Sequence, residues 1–209
     1  KYLFFENNSN FNKPVRHLPN SITHLKFNTY QFNQQLDNLP TQLEHLEISG
    51  YGFNHKLDKL PGSLKYFSIE SRNFNKSLYN LPDSITHLEL SIPEPKINKL
   101  PSSLKYFNPN SSLGKSINNI QNLSCLNCKE KCTCSGNLTH VRFGYNFNKP
   151  IDKLIGSIIY LKVFKYFNQP LNNLPNSIKY LDIGKYFNNP IDNLPSSLIS
   201  LKFHHSSRF

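Results

Sequence analysis

Apolar residues return along this chain in one cadence: apolar, two variable positions, apolar, one variable position, apolar. It reads Ile22-Leu25-Phe27, Leu43-Leu46-Ile48, Leu64-Phe67-Ile69 and Ile85-Leu88-Leu90, then Ile158-Leu161-Val163, Ile178-Leu181-Ile183 and Leu198-Leu201-Phe203. The last three positions of each segment alternate, which predicts a short strand with one buried face. Upstream stands a Leu-Pro pair, at Leu18-Pro19, Leu39-Pro40, Leu60-Pro61, Leu81-Pro82, Leu174-Pro175 and Leu194-Pro195. Further upstream stands Phe-Asn, at Phe11, Phe32, Phe53 and Phe74 with a spacing of 21, and at Phe147, Phe167 and Phe187 with a spacing of 20. Such a period holds one strand, a tight turn and an extended return, and the recurrent Pro excludes a helix there. One unit cannot bury its own Phe, Leu and Ile, so the units must stack in a column. The prediction is a parallel-stranded solenoid with little helix. The Asn beside each Phe is expected to form a ladder of buried amides that satisfy turn backbone in its own or the next rung.

The motif Phe-Asn-x-Pro-Ile/Leu-x-x-Leu-Pro-x-Ser-Ile/Leu-x-x-Leu, clearest in residues 147–161, 167–181 and 187–201, resembles the FNIP repeat, a relative of leucine-rich repeats. The resemblance covers nearly the whole chain. It implies a leucine-rich-like fold, with a parallel sheet on the concave face and turns on the convex side, acting as a non-catalytic scaffold for protein–protein interaction. Such repeats are known mainly from social amoebae and the giant viruses that infect them, which implies the cytoplasm of an amoebal host or a virus particle. In that family an F-box or similar domain often precedes the repeats. A substrate-recognition role in a ubiquitin ligase is therefore one alternative, and a structural, particle-associated assembly protein is another. The chain does not begin with Met, as expected of a fragment or a processed form.

Residues 1–209 read as one solenoid of about ten rungs when Leu104-Phe107, Leu123-Leu126-Cys128 and Leu138-Val141-Phe143 are counted. The register is irregular over 91–137, with a Cys-containing insertion at 129–136. Side chains between the buried strand positions face out, and stacking aligns them in rows about 4.8 Å apart. One row reads His24, His45, Tyr66, His87, Tyr106, Cys125, His140, Tyr160, Tyr180, Ser200. Its neighbour reads Lys26, Glu47, Ser68, Glu89, Asn108, Asn127, Arg142, Lys162, Asp182, Lys202. The first half of this face leans acidic with Glu44 and Glu70, and the second leans basic with Lys162, Lys165, Lys179 and Lys202. A face of two signs suits a protein partner better than a uniform nucleic-acid groove. The expected partner-binding residues are His24, His45, Tyr66, His87, Tyr106, His140, Tyr160, Tyr180, Lys162 and Lys202. The same aromatic row would also stabilise a sheet that binds nothing. Stacked imidazoles at His24, His45 and His87 are expected to resist charging together.

Composition adds little to this picture. The chain carries 24 Lys and Arg against 13 Asp and Glu, a formal charge of +11, which attracts nucleic acid or other polyanions without specifying one. No apolar run reaches the roughly 20 residues a membrane helix needs, so no membrane partner is expected; self-association is. The cysteines, Cys125, Cys128, Cys132 and Cys134, have a spacing that admits disulfides, a zinc site or free thiols. In the repeat register Cys125 and Cys128 point to opposite faces, which disfavours shared zinc ligation, and no metal or other cofactor is expected. Asn7, Asn110, Asn122 and Asn137 open Asn-x-Ser/Thr triplets of the kind that arise by chance in an Asn-rich chain. Asp37, Asp58, Asp152 and Asp192 share one repeat position, where a turn role is the simpler reading. No nucleotide-binding loop, nucleophile elbow or HExxH appears, so no catalytic residue is expected.

Overall fold

A computed structural model describes residues 1–6, 10–93, 95–109, 137–152, 154 and 156–204. Ten strands form one parallel sheet, in chain order from end to end: β1 (Tyr2–Phe5), β2 (His24–Asn28), β3 (His45–Ser49), β4 (Tyr66–Glu70), β5 (His87–Ser91), β6 (Tyr106–Asn108), β7 (His140–Arg142), β8 (Tyr160–Lys162), β9 (Tyr180–Ile183) and β10 (Ser200–Phe203). No helix occurs among the described residues. Each strand pairs with the equivalent strand of the next rung, so His24 stands beside His45, His45 beside Tyr66 and Leu25 beside Leu46. This is the solenoid that the cadence predicts.

The inward positions make the core. Leu25, Leu46, Phe67, Leu88, Val141, Leu161 and Leu181 are buried in one column, and Phe27, Ile48, Ile69, Leu90, Phe143, Val163 and Ile183 in the next. On the return side the Phe of each Phe-Asn pair stacks on its counterpart: Phe32 on Phe53 at 6.0 Å, Phe53 on Phe74 at 6.2 Å, and Phe167 on Phe187 at 6.3 Å between ring centroids. The same rings pack against the strand residue across the coil, as Phe27 does on Phe32 at 3.9 Å.

Three polar devices repeat with the core. The carbonyl of each Leu-Pro proline accepts the N–H three residues on, as in Ile22 to Pro19 at 3.0 Å and Leu43 to Pro40 at 3.1 Å, closing the turn that launches the next strand. The Ser before the first strand apolar reaches back one rung: Ser63 Oγ donates to the Leu43 carbonyl, Ser84 to Leu64 and Ser177 to Ile158. The third device is the Asn ladder. Asn33 donates its N–H to Asn12 Oδ1 at 3.0 Å, Asn54 to Asn33 at 3.0 Å and Asn75 to Asn54 at 3.0 Å; Asn168 donates to Asn148 and Asn188 to Asn168 in the second half. The ladder runs between rungs as expected, but along the surface; the expectation of buried amides is corrected. The neighbouring Phe occupies the core, and strand-like alternation turns the next side chain outward.

The ten strands are not the ten counted from sequence. Tyr106 pairs directly with His140 and Phe107 with Val141, and the rung counted at Leu123-Leu126-Cys128 lies outside the described residues. Thr139 adds a side-chain contact to this junction. Its hydroxyl donates to the Lys105 carbonyl at 3.3 Å and lies 2.9 Å from His140 Nδ1, as Thr86 does beside Lys65 and His87. Thr139-His140 therefore docks on the preceding rung with the same bonds as Thr86-His87. The tenth strand is instead β1, whose alternation in Tyr2-Leu3-Phe4-Phe5 went uncounted.

Candidate protein-interaction face

The outward side chains of the sheet form the site that the sequence points to. Because β-strand side chains alternate and all strands are in register, His24, His45, Tyr66, His87, Tyr106, His140, Tyr160 and Tyr180 lie in one row, joined at its start by Tyr2. Ring centroids are 4.4 Å apart for Tyr2 and His24, 5.3 Å for His24 and His45, 4.1 Å for His45 and Tyr66, 6.2 Å for Tyr66 and His87, and 5.7 Å for His87 and Tyr106. The stack resumes at His140 and Tyr160, 5.7 Å apart. Each ring is half-buried or exposed. Thr23, Thr86 and Thr139 each stand 2.9 Å from Nδ1 of the following His, which fixes the ring against the preceding rung.

The second row carries the charge, and its carboxylates are all engaged. Glu47 meets Lys26 Nζ and His45 Nε2, both at 2.6 Å. Glu89 accepts from Tyr66 Oη at 3.2 Å and from Asn108 Nδ2 at 3.3 Å. Asp182 accepts from Tyr160 Oη at 2.8 Å and lies 3.5 Å from Lys162 Nζ. Lys202 stands exposed beside Asp182 in register. Within the expected acidic half, Glu47 is thereby paired with cations, whereas Glu89 is held by neutral donors.

Electrostatics follow from this crowding. Burial, then the neighbouring His45, lowers the His24 pKa against the opposing pull of Glu44. Burial disfavours the charged Glu47, but Lys26 and His45 together win and hold its carboxyl below the usual range. Burial and Asp182 push the Tyr160 phenol up to about 12. Tyr66 is raised further, by burial and then by the charges of Glu89 and Glu47. Burial works against the charge of Arg142, yet its hydrogen bond to Tyr106 and nearby negative charge keep the guanidinium above its ordinary value.

Two features escaped the sequence reading. A second aromatic row lies in the loops that follow the strands: Tyr30 stacks on Tyr51 at 5.3 Å with Arg72 over Tyr51 at 4.4 Å, and Tyr166 stacks on Tyr186 at 5.4 Å with Lys165 over both rings. These tyrosines stand one or two residues before Phe-Asn, a signal present in the repeat but outside its apolar cadence. The other feature is Arg142, whose Nη1 donates to Tyr106 Oη at 3.0 Å across the junction between β6 and β7. Its partner could not be read while an extra rung was placed between them.

Cys125, Cys128, Cys132 and Cys134, with the expected disulfide, zinc or thiol states, and Asn7, Asn110 and Asn122 lie outside the described residues. Asn137 donates its side-chain amide to the Ser102 carbonyl at 3.3 Å. Among the described residues no group of three or more His, Cys, Asp or Glu could hold a metal ion, and no helix is long and apolar enough to cross a membrane. Asp37 lies 3.9 Å from Lys59 on an exposed turn, a contact of little energetic weight.

Comparison with known proteins gives one family. The model of the FNIP repeat matches residues 11–51, 53–93, 156–186 and 167–206. No curated protein matches. Among solved structures, one described as CroV588, a novel circular LRR protein, is similar at 26% identity and a TM-score of 0.36. That match covers 97% of this chain and 43% of that one, so this chain spans less than half of its length.

Proposed function

The chain belongs to the FNIP repeat family, and from that membership we propose that it is a non-catalytic scaffold that binds a protein partner through the outward face of its sheet. The observation that carries the reading is the stack of half-buried and exposed His and Tyr rings from Tyr2 to Tyr106, resumed at His140 and Tyr160. Packing the inward columns requires nothing of these outward positions, which a stable solenoid could fill with any polar side chain. Rings of this kind present large apolar area at low entropy cost, which is why Tyr is enriched at interface hot spots. The carboxylates of the face are already bonded to neighbouring side chains, an arrangement suited to holding a surface in shape.

The test is affinity capture by the full chain against a variant with Tyr66, His87 and Tyr106 replaced by Ala. Loss of one discrete protein with an unchanged melting transition supports the reading. Equal recovery by both forms refutes it.

A further inference from the structure

The row of charged positions is paired unevenly. Lys26 has Glu47 and Lys162 has Asp182, whereas among the described residues no carboxylate lies within ion-pair distance of Arg142. Its one hydrogen-bonding partner is a neutral phenol, Tyr106 Oη. Its Nε is buried with no partner at all, a donor stripped of water and given nothing in return. Moreover, Arg142 stands directly beside Lys162 in the parallel register, and like charges on adjacent strands destabilise a sheet. Both cations approach one ring: the Arg142 guanidinium carbon lies 5.7 Å from the centroid of Phe164, and Lys162 Nζ lies 5.0 Å from it. Nothing in the fold needs a guanidinium here, since the equivalent position is Ser68 in β4 and Asn108 in β6.

We propose that Arg142, with Lys162 and the Phe164 ring beside it, is an anion subsite of the sheet face that takes a carboxylate from an acidic segment of a partner protein. The inference rests on the interaction reading above and names the chemistry of its ligand. A planar guanidinium that has spent one donor on Tyr106 retains others in the fork geometry that a carboxylate fits. Incoming charge would also relieve the Arg142–Lys162 repulsion. The occupant is a protein segment and not a nucleic acid, because Asp182 flanks Lys162 on one side and Glu89 lies in the same row on the other. A polyphosphate running along the row would meet both carboxylates with its charged backbone, whereas Glu or Asp side chains reach Arg142 from a neutral backbone that can stay clear of them. The Tyr106 and Tyr160 rings supply apolar walls on which the rest of such a segment can rest.

The experiment uses the full chain and a fluorescently labelled hexaglutamate peptide at low salt, with oligothymidylate and inorganic phosphate as competitors. Saturable hexaglutamate binding is expected. Arg142→Gln should weaken it by about tenfold or more, the loss of a charge-assisted hydrogen-bonded pair, and Arg72→Gln, a cation placed on Tyr51, should leave it unchanged. In the unsubstituted protein the Arg142 Nε–H resonance should shift on adding hexaglutamate, a readout that does not depend on any variant folding. No saturable binding, no shift, or an Arg142→Gln affinity equal to that of the parent overturns the subsite. So does oligothymidylate displacing the peptide at lower concentration than unlabelled hexaglutamate, which would assign the site to nucleic acid. If the Tyr66, His87 and Tyr106 variant loses its partner while Arg142→Gln retains it, the subsite fails and the interaction reading stands. If neither substitution changes capture, both fail.

Discussion

Asn54 allows the surface ladder to be tested one bond at a time. Its backbone N–H donates to Asn33 Oδ1 and its own Oδ1 accepts from the Asn75 N–H, both at 3.0 Å. Asn54→Ala therefore removes the second bond and leaves the first. A net hydrogen bond is worth about 0.5–1.5 kcal/mol, and water can reach this exposed N–H, so the cost should fall in the lower half of that range, about 0.5–1 kcal/mol. Asn54→Asp keeps an oxygen where the bond needs one and should cost little. The assay is amide exchange at Asn75, read by NMR beside denaturant unfolding of each variant. A loss of about 1 kcal/mol corresponds to roughly a fivefold faster exchange at Asn75. The Asn54 amide, still held by Asn33, should not change, because each rung contacts only its neighbours. Unaltered Asn75 exchange in Asn54→Ala would refute the reasoning. A penalty for Asp equal to that for Ala would show that something other than the acceptor oxygen matters.

Three further outcomes follow from the same structure. Phe53→Ala empties a fully buried slot between Phe32 and Phe74 and should cost about 3–5 kcal/mol in denaturant unfolding, several times the ladder bond; a loss below 1 kcal/mol would mean the column collapses freely. Because the folded His24 pKa lies below its unfolded value, the unfolded chain binds the proton first, so this imidazole stabilises the fold above about pH 6.5 and its contribution declines as pH falls from there toward the folded pKa. Glu47 adds stability above its unfolded pKa that is lost as pH falls through its lowered folded value; NMR titration of both side chains checks the two signs. Asp182→Asn removes the charge that favours the neutral Tyr160 phenol while keeping an oxygen that can accept its hydrogen bond, so the Tyr160 pKa should drop from about 12 in a spectrophotometric titration; an unchanged value would leave the shift to burial and the hydrogen bond.

The tight approach of neighbouring rungs also explains why some loop positions are small. A Cβ on Gly50 would overlap the Thr29 carbonyl oxygen, and one on Gly184 would overlap Phe164 backbone, so Ala at either position forces adjacent coils apart. Thr29 and Ser71 occupy equivalent places in their rungs and turn the proximity to use: Thr29 Oγ1 donates to the Phe11 carbonyl, and Ser71 Oγ donates to the Phe53 carbonyl.

Sequence alone determined the solenoid, the parallel register and the outward His/Tyr row. A period of 20 or 21 residues with alternating apolar positions leaves one way to bury Leu, Ile and Phe, and that packing then fixes which side chains face out. The sequence also identified the Phe-Asn pair as a ladder, although not on which side of the wall it runs. Only the tertiary structure decided which segments enter the sheet. The apolar cadence scores Leu123-Leu126-Cys128 and Leu138-Val141-Phe143 alike, and among the described residues it is the second that pairs with β6, where the Thr139 hydroxyl also bonds the Lys105 carbonyl. That pairing brought Arg142 against Tyr106 and Lys162, with no carboxylate among the described residues within ion-pair distance. Periodicity reports which face a residue occupies, whereas its neighbour across an irregular junction depends on which coil docks there, and contact between chemical groups is decided by that docking.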